Sequence, residues 1–419
     1  MRILYLHQYF TTPQMRGGGR SFELGRRLVA AGHEVHMIAS DKSGEAIAEP
    51  EGSGWSVSSE AGIQVHWCPV PYANDMGFGA RLAAFGRFAA LAGPRAAKLG
   101  GDVVLATSTP LTIALPGVYA STMLGIPMVF EVRDLWPAVP IDLGVLRSRP
   151  TIAAARQLER FAYRNAARVI ALSPGIRDGV VATGYPADRV AVIPNGSDLD
   201  QFALDDRDEA VAAFRARHEW LGDRPLIGYY GAISQANGVE WLVELAARLR
   251  PKLPELRVLI VGSGRSEDQV RALARRRGVL DETLFMLPPV PKQAIPAMLA
   301  ATDLAAVCFV DSAPLHTGSP NKAFDAFAAS TPVLMSFGGW LGQRVRQYGA
   351  GVVAEHGDLD VAEAGVIELL ARPRAQREAR AAALRLARDH FARDNLASQF
   401  EDVLCQAALR QGPLPCPTG

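Results

Sequence analysis

Short apolar runs alternate along the first half of the chain with segments whose apolar residues recur at helical spacing. The intervening helical segments include one with Phe22, Leu24 and Leu28 on its apolar side. Each apolar run predicts a buried strand; the runs are Arg2–Leu6, Val35–Ala39, Val65–Val70, Val103–Ala106, Met128–Val132, Val169–Leu172 and Val190–Ile193. Strand–helix alternation of this kind predicts a mostly parallel sheet with helices on both faces.

The same alternation restarts after a polar, acidic segment, Leu199–Glu209, which we interpret as a linker. Further strands are predicted at Leu226–Tyr230, Leu256–Val261, Leu284–Leu287 and Leu304–Val310, with helices at Val239–Arg250, Asp268–Arg277 and Ala294–Ala301. The predicted fold class is therefore α/β, with two doubly wound Rossmann-like domains. Ligands of such sheets bind beyond the C-terminal strand ends, so we expect a site in a cleft between the domains.

The predicted organisation has four parts. We expect a first domain over 1–200, a second over 201–395, a C-terminal helix within 396–412 that crosses back to the first, and a flexible tail over 413–419. A length of 419 residues suits two domains rather than one core.

Composition narrows the function classes. Apolar content of 49% and charged content of 21% describe a soluble globular protein, and a net charge of +1 gives no reason to expect nucleic acid as a partner. The four cysteines have neither CxxC pairs nor metal-ligand spacing, so we expect thiols in a reducing compartment and no bound metal. No secretory signal is visible, which predicts a cytoplasmic protein.

One uncharged segment, Val103–Phe130, is long enough to span a bilayer. Its many Ser, Thr and Pro residues would leave backbone groups unpaired in lipid. We therefore interpret it as a strand, a loop, a packed helix and a second strand.

The segment Gly318–Leu334 carries the most informative chemistry. Its Gly/Ser/Pro turn enters a helix, where backbone N–H groups and the helix dipole favour an anion. Lys322 adds a positive charge at that point. Asp325, one turn later, can accept hydrogen bonds from a polyol. Together they indicate a site for a phosphate joined to a sugar, as in a sugar nucleotide.

Two glycine-rich loops follow predicted strands. Gly17, Gly18 and Gly19 precede Arg20 and the first helix, and Gly262-Ser263-Gly264 follows the strand that ends at Val261. Such loops let a backbone approach a phosphate closely, although flexible turns have the same composition. Both readings stay open for each loop.

Arg133 and Asp134 directly follow the strand Met128–Val132, at the edge where a ligand is expected. Arg133 could bind a phosphate or sugar oxygen, and Asp134 or Glu131 could orient it. An Arg–Asp pair that only holds the loop is the alternative.

Residues 79–100 contain Arg81, Arg87, Arg95 and Lys98 but no acid, and they have an apolar side. This pattern is typical of an amphipathic helix that lies on anionic lipid, and equally of a helix packed on its own domain. More arginines follow between residues 147 and 164. If these stretches share a face, they would suit an acceptor that carries a lipid diphosphate.

The motifs, in their order, resemble a family 4 retaining glycosyltransferase of the GT-B fold over roughly residues 1–400. The carrying stretches are HQYF…P…GGGRSFELGRRLVAAGHEV, VFEVRDLWPAVPIDLGVL, LERFAYRNAARVIALSPGIRDGV, VIPNGSDLD and SPNKAFDAFAASTPVL. They are similar to the subgroup that includes bacterial O-antigen and capsule transferases, such as L-fucosamine transferases. The resemblance implies that SPNKAFDAFAASTPVL, Ser319–Leu334, is that subgroup's version of the family's donor-site motif, here named the donor motif.

The resemblance implies roles for individual residues of the second domain. Asp325 matches the second acid of the family's Glu-x7-Glu motif, which holds the ribose, whereas the first acid falls on Thr317. Contacts to the donor sugar then fall to Thr317 and to the backbone of Gly318, Ser319 and Asn321.

The resemblance also places the diphosphate and the base. The family's diphosphate Arg and Lys fall on Ala232 and Asn237, in the loop that begins at Gly231, so both charges are missing. Lys322 is the candidate replacement, helped by the N–H groups of Gly18 and Gly19. Further candidate donor contacts are Gly17, Arg20, Gly231, Asn237 and Gly264. Val290 is expected to contact uracil, and Arg133 stands where many members have a histidine near the donor sugar.

The predicted reaction moves a sugar, for which an N-acetylated or deoxy hexosamine is the candidate, from a nucleotide diphosphate to an acceptor hydroxyl. UDP is the expected nucleotide and a lipid-linked glycan the expected acceptor, at the inner face of the membrane. Lys322, Arg133 and Asp134 are the candidate catalytic residues, without cofactor or metal. A sugar-nucleotide epimerase and a non-catalytic sugar-nucleotide-binding protein are the alternatives.

Overall fold

The computed structural model describes residues 1–15, 19–40, 54–71 and 76–409. The chain divides into two compact units. Unit 1 comprises Met1–Pro194 and the chain from Asp394 onward, and unit 2 comprises Asn195–Arg393. Gly17, Gly18 and the tail predicted over 413–419 lie outside the described residues.

The sheet of unit 1 has eight strands in the order β3-β4-β2-β1-β5-β6-β7-β8. The strands are β1 (Arg2–Leu6), β2 (Glu34–Ser40), β3 (Ser56–Glu60), β4 (Ile63–Cys68), β5 (Val103–Thr107), β6 (Met128–Val132), β7 (Arg168–Ala171) and β8 (Val190–Val192). All neighbours pair in parallel except β3 and β4. The apolar pattern missed β3 because this edge strand is polar and only partly buried.

The helices of unit 1 cover this sheet. They are α1 (Arg20–Ala30), α2 (Phe78–Leu99), α3 (Ala114–Leu124), α4 (Ala138–Asp142), α5 (Arg149–Arg164) and α6 (Pro174–Ala182). A further helix, Arg393–Leu409, also belongs here beyond its first residue. Its Phe400 and Leu404 lie in one apolar cluster with Ile3 and Tyr5 of β1. The chain end therefore completes the core of the unit in which the chain begins.

Unit 2 is built on a six-stranded, fully parallel sheet in the order β11-β10-β9-β12-β13-β14. The strands are β9 (Leu226–Tyr230), β10 (Arg257–Val261), β11 (Leu284–Leu287), β12 (Leu304–Val307), β13 (Val333–Met335) and β14 (Gly351–Val353). The prediction of two doubly wound α/β units is confirmed.

Helices flank this second sheet. They are α7 (Leu199–Phe202), α8 (Arg207–Ala216), α9 (Glu240–Leu249), α10 (Glu267–Arg276), α11 (Ile295–Ala300), α12 (Ala313–His316), α13 (Asn321–Ala328), α14 (Gly339–Tyr348), α15 (Leu359–Leu370) and α16 (Pro373–Leu386). The segment interpreted as a linker, Leu199–Glu209, instead contains α7 and the start of α8. Asp206 caps α8 by accepting a hydrogen bond from the backbone N–H of Glu209, which explains part of that acidic composition.

Two other expectations can be compared with the structure. Val103–Phe130 folds as β5, α3 and the start of β6, and no helix among the described residues is both long and apolar enough to cross a bilayer. Cys68 and Cys308 are free and buried, as expected of thiols in a reducing compartment. Cys405 is disulfide-bonded, so that expectation is wrong at this position.

Candidate functional site

Lys322 lies at the C-terminal edge of the unit 2 sheet, in the first turn of α13. Its ammonium donates to the Tyr229 hydroxyl at 3.1 Å and to Asn237 Oδ1 at 3.0 Å. It also lies 4.5 Å from the centroid of the Tyr229 ring, within the range of a cation–π contact. The lysine is thus held by the end of β9 and by the 3₁₀ turn Gln235–Asn237 that follows.

The partners of Lys322 are neutral. Among the described residues, no carboxylate forms an ion pair with its ammonium. Loss of hydration lowers the pKa of Lys322 to about 8, and the neighbouring Cys308 opposes that shift only in part. Lys322 is half-buried, and a partly desolvated cation without a counter-charge is a costly arrangement that an incoming anion would stabilise.

Two glycines allow the loops beside this lysine to pack together. A Cβ on Gly262 would lie 1.9 Å from the Gly231 carbonyl oxygen, and a Cβ on Gly264 would lie 2.2 Å from that of Ile233. Two hydrogen bonds join the backbones of these loops: the Gly231 N–H donates to the Val261 carbonyl, and the Ile233 N–H donates to the Ser263 carbonyl. Gly264 therefore allows two loops to pack closely. A Cβ added to Gly231 would lie 3.4 Å from Lys322 Cε.

Asp325 lies three residues beyond Lys322 on the same helix. Its Oδ1 accepts a short hydrogen bond from the buried Ser197 hydroxyl. Burial raises the pKa of Asp325, and this bond together with the charges of Lys292 and Arg393 opposes the rise. The carboxylate is half-buried and already oriented by a hydroxyl.

The loop before α13 is fixed by bonds within unit 2. The Ser319 hydroxyl and carbonyl both bond Asn195, and the Gly318 carbonyl accepts from the Trp340 indole at 2.8 Å. The Thr317 hydroxyl donates to the Pro314 carbonyl at 2.7 Å, so it is engaged inside the loop. Asn321 is exposed at the start of the helix.

Val290 lies beyond the end of β11, at the same edge of the sheet. It packs, like Trp220 and Phe285, against a buried apolar cluster that includes Leu259 and Val261. The sequence prediction of a base contact for Val290 stays a prediction.

A histidine cluster near the donor motif was not predicted as a site. Asp311 lies 3.0 Å from His356 Nδ1 and 3.6 Å from His316 Nε2, and His316 stacks on Phe337. Burial lowers the pKa of His316. The Val310 N–H bonds the Ala236 carbonyl, which brings this cluster next to the turn that holds Lys322. No ligand-type spacing in sequence reveals it, because Asp311 and His316 lie in one segment and His356 lies in another, 45 positions beyond Asp311.

Unit 1 has its own polar edge, formed where β1, β5 and β6 end. The Arg133 guanidinium donates to His7 Nε2 at 3.2 Å, and its backbone N–H donates to the Ser108 hydroxyl at 3.0 Å. Burial raises the pKa of Asp134, and the adjacent arginine opposes the shift. The Arg133 guanidinium thus bonds His7, and Arg133 and Asp134 both follow β6 at the predicted edge.

Arg20, a predicted donor contact, bonds other residues of unit 1. It is buried in an ion pair with Glu131 at 2.9 Å, and its other nitrogens donate to the carbonyls of Ile193 and Pro194. Glu131 also accepts a short bond from Thr107. These contacts engage the guanidinium inside unit 1, and the donor contact of Arg20 stays a prediction. Gly19, the described part of the glycine loop, precedes α1 as its N-cap.

The basic segment 79–100 forms α2, but only part of its charge is exposed. Arg95 is partly buried, bonds His66 and lies over the Trp55 ring, and Arg81 donates to a backbone carbonyl. Arg87 and Lys98 are exposed. The segment thus forms a helix with exposed cations, but two of its four cationic side chains, Arg81 and Arg95, contact other residues of unit 1.

Comparison with known proteins adds an independent line of evidence. Residues 17–196 match the glycosyl transferase 4-like domain, and residues 211–385 match the glycosyl transferases group 1 domain. The chain is built from two glycosyltransferase domains. The lysine and aspartate of the donor motif fall in the group 1 domain, and Arg133 and Asp134 fall in the 4-like domain.

Named proteins share these domains at moderate identity. A GDP-mannose-dependent alpha-(1-6)-phosphatidylinositol monomannoside mannosyltransferase of Mycolicibacterium smegmatis is 28% identical over 72% of this chain and 82% of its own length. A putative colanic acid biosynthesis glycosyl transferase, WcaI, of Escherichia coli is 27% identical over 70% and 73%.

A solved structure shares the fold of these glycosyltransferase domains. Anabaena HepE in complex with UDP-glucose superposes with a TM-score of 0.72 at 16% identity, over 97% of this chain and all of the HepE chain. This likeness supports the GT-B fold.

The Arg20–Glu131 pair generates the first testable prediction. Glu131→Gln should lower the free energy of unfolding by about 3 kcal/mol, because it leaves a buried guanidinium without its counter-charge. Chemical denaturation of the purified variant measures this. The exposed pair Arg2–Glu34 is the control, and Glu34→Gln should cost less than about 1 kcal/mol. Equal effects of both changes would contradict the buried-pair assignment.

Proposed function

We propose that the protein is a retaining, metal-independent glycosyltransferase in which Lys322 holds the diphosphate of a nucleotide-sugar donor. The observation that carries this proposal is the desolvated Lys322 ammonium, which has two neutral hydrogen-bond partners and no carboxylate among the described residues. One of these partners is Asn237, the position where the family pattern has its own diphosphate lysine. Lys322 thus brings a cation to the place from which the family's cation is missing.

The chemistry follows from where charge develops. When the bond between the donor sugar and the diphosphate breaks, negative charge grows on the departing phosphate oxygen. A fixed ammonium in a poorly hydrated site stabilises that charge more than bulk water does. The ammonium makes this contribution without a metal ion, which is why we propose metal-independent transfer.

The remaining donor contacts are proposed on either side of Lys322. Asp325 is positioned to accept from ribose hydroxyls, because Ser197 occupies its Oδ1 and the residue is only half-buried. The Gly318–Asn321 backbone and Thr317 are proposed for the sugar, and Val290 for the base. We propose UDP as the nucleotide, supported by HepE in complex with UDP-glucose, although the mycobacterial relative is named for GDP-mannose.

The acceptor is proposed to bind unit 1, at the edge that carries Arg133 and Asp134. We propose a lipid-linked glycan of a surface polysaccharide. The likeness to WcaI, named for colanic acid biosynthesis, supports that acceptor class. Incubation with UDP-sugars distinguishes transfer, which releases UDP and a glycosylated acceptor, from epimerisation of the donor and from binding alone.

Lys322→Met gives the most direct test. We expect kcat/KM to fall about 100-fold or more because the diphosphate loses its fixed cation. The melting temperature should stay equal or rise, because an apolar side chain replaces a desolvated charge. The control is Lys252→Met, which removes an exposed lysine paired with Glu363. Wild-type turnover in Lys322→Met would overturn the diphosphate assignment.

The pH dependence of donor binding gives a second test. Since the pKa of Lys322 is about 8 in the donor-free protein, donor affinity should weaken as pH rises through 8 and the ammonium is lost. The stability of the donor-free protein should instead rise with pH from about 8 towards the pKa of the unfolded lysine, since the unfolded chain then binds more protons. Calorimetric titration of UDP at several pH values measures the first effect. A binding profile that Lys322→Met leaves unchanged would contradict the proposal.

A membrane contact is proposed for the outer surface of α2 and α3. These helices pack against each other, and α3 also packs against α5. Exposed large apolar side chains cluster on them, including Met123 at 63% exposure, Leu82 at 55% and Tyr119 at 44%. Neither helix contains an acidic residue, and both Arg87 and Lys98 are exposed. Apolar groups combined with cations and no acids complement an anionic lipid surface.

Vesicle co-sedimentation tests this contact. The double variant Leu82→Glu/Met123→Glu should lose binding to vesicles that contain anionic phosphatidylglycerol, because it places two acids on the apolar surface. The matched control is Val361→Glu, which changes an apolar residue of α15 that is 48% exposed in unit 2. Binding to neutral vesicles alone, or equal binding by all variants, would contradict the proposal.

A further inference from the structure

The four residues Asn195–Asp198, with which the chain enters unit 2, are bonded to the segment by which it leaves. The Ser197 N–H donates to the Phe391 carbonyl at 3.0 Å, and the Arg393 N–H donates to the Ser197 carbonyl at 3.1 Å. The Arg393 guanidinium also bonds the Gly196 carbonyl and lies 3.3 Å from Asp198. The backbone of this entry segment is therefore fixed whichever side chain stands at 197.

Asn195 and Ser197 of the entry segment also form hydrogen bonds with the donor motif. Asn195 Nδ2 donates to the Ser319 carbonyl at 2.6 Å, and the Asn195 N–H donates to the Ser319 hydroxyl at 3.0 Å. Ser197 donates to Asp325 Oδ1. These bonds fix the donor motif at Ser319 and Asp325, on both sides of Lys322. Asn195 and Ser197 are both buried.

We propose that Ser197 is a positioning residue that orients the Asp325 carboxylate for the ribose of the donor, while Asn195 fixes the sugar end of the same motif. This inference rests on the proposed function, because it gives Asp325 the ribose role. A single hydroxyl proton can bond only one carboxylate oxygen. The bond to Oδ1 therefore sets the direction of the other oxygen, which accepts no hydrogen bond from the described residues.

A purely structural role predicts something else. If Ser197 only stabilised the fold, its loss would lower stability without a selective effect on nucleotide binding or on the protonation of Asp325. The backbone bonds to Phe391 and Arg393 remain when the hydroxyl is removed. The two roles can therefore be separated by measurement.

The experiment is Ser197→Ala in the full chain. We expect the Kd for UDP and the KM for the donor to rise about tenfold, with kcat changed less, since one hydrogen bond to a charged group is lost. The acid limb of the kcat/KM profile should shift to higher pH, because the Ser197 bond holds the pKa of Asp325 down. The charged groups that also act on Asp325 are Lys292, Arg393 and Asp198, and all three are retained.

Two further variants and a control complete the design. Ser197→Thr keeps the hydroxyl and should restore both the affinity and the pH profile. Ser197→Cys, a weaker donor of similar size, should be intermediate and decides the question if the alanine variant does not fold. Thr302→Val removes another buried hydroxyl of unit 2, bonded to Met298 and Tyr230, and should leave the KM for the donor unchanged.

The outcomes separate this inference from the function on which it rests. If Asp325→Asn weakens UDP binding but Ser197→Ala changes neither the affinity nor the pH limb, the positioning role is wrong and the proposed function stands. If Asp325→Asn and Lys322→Met both bind UDP as the wild type does, the proposed function itself is wrong.

Discussion

A desolvated lysine without a counter-charge is the constraint around which unit 2 is arranged. Moving an ammonium out of water is unfavourable, and here the structure compensates only with a tyrosine ring and hydroxyl and one amide oxygen. The close packing at Gly262 and Gly264 brings the neighbouring loop against Gly231, beside that lysine. The fold thereby holds the Lys322 ammonium at the sheet edge with neutral partners only. A fixed cation of this kind is what a site for a dianionic diphosphate requires.

The aspartate on the same helix shows the complementary solution. Asp325 is also removed from water, but a buried serine and nearby cations stabilise its charged form. Two groups one helical turn apart thus have different partners. Lys322 has no anionic partner among the described residues, and Asp325 has a hydrogen-bond donor for only one of its two oxygens. A nucleoside diphosphate presents both features, a charged diphosphate and neutral ribose hydroxyls, at neighbouring positions.

Much of the fold was predictable because parallel strands buried on both faces are continuous apolar runs. The central strand Leu226–Tyr230 is predicted at its observed bounds for that reason. Leu284–Leu287 is also predicted at its observed bounds, because its residues are all apolar, although this edge strand is only partly buried. The polar edge strand β3 and the short strand β14 were missed, since neither has such a run. Leu199–Glu209 was mistaken for a linker because the acidic residues that cap a helix have the composition of a solvated loop.

The site was predictable only as far as its residues are adjacent in sequence. Lys322 and Asp325 stand three positions apart on one helix, so the sequence alone predicts that they share one site, and their roles there stay a prediction. Arg20 could not be interpreted in the same way, because its partner Glu131 is 111 positions away and the pairing buries both. The same limit hid Ser197, whose partner lies 128 positions away. A motif indicates which groups are present, but only the fold decides which of them are already engaged, and for a charged group that difference separates a residue that holds the protein together from one that remains available to a ligand.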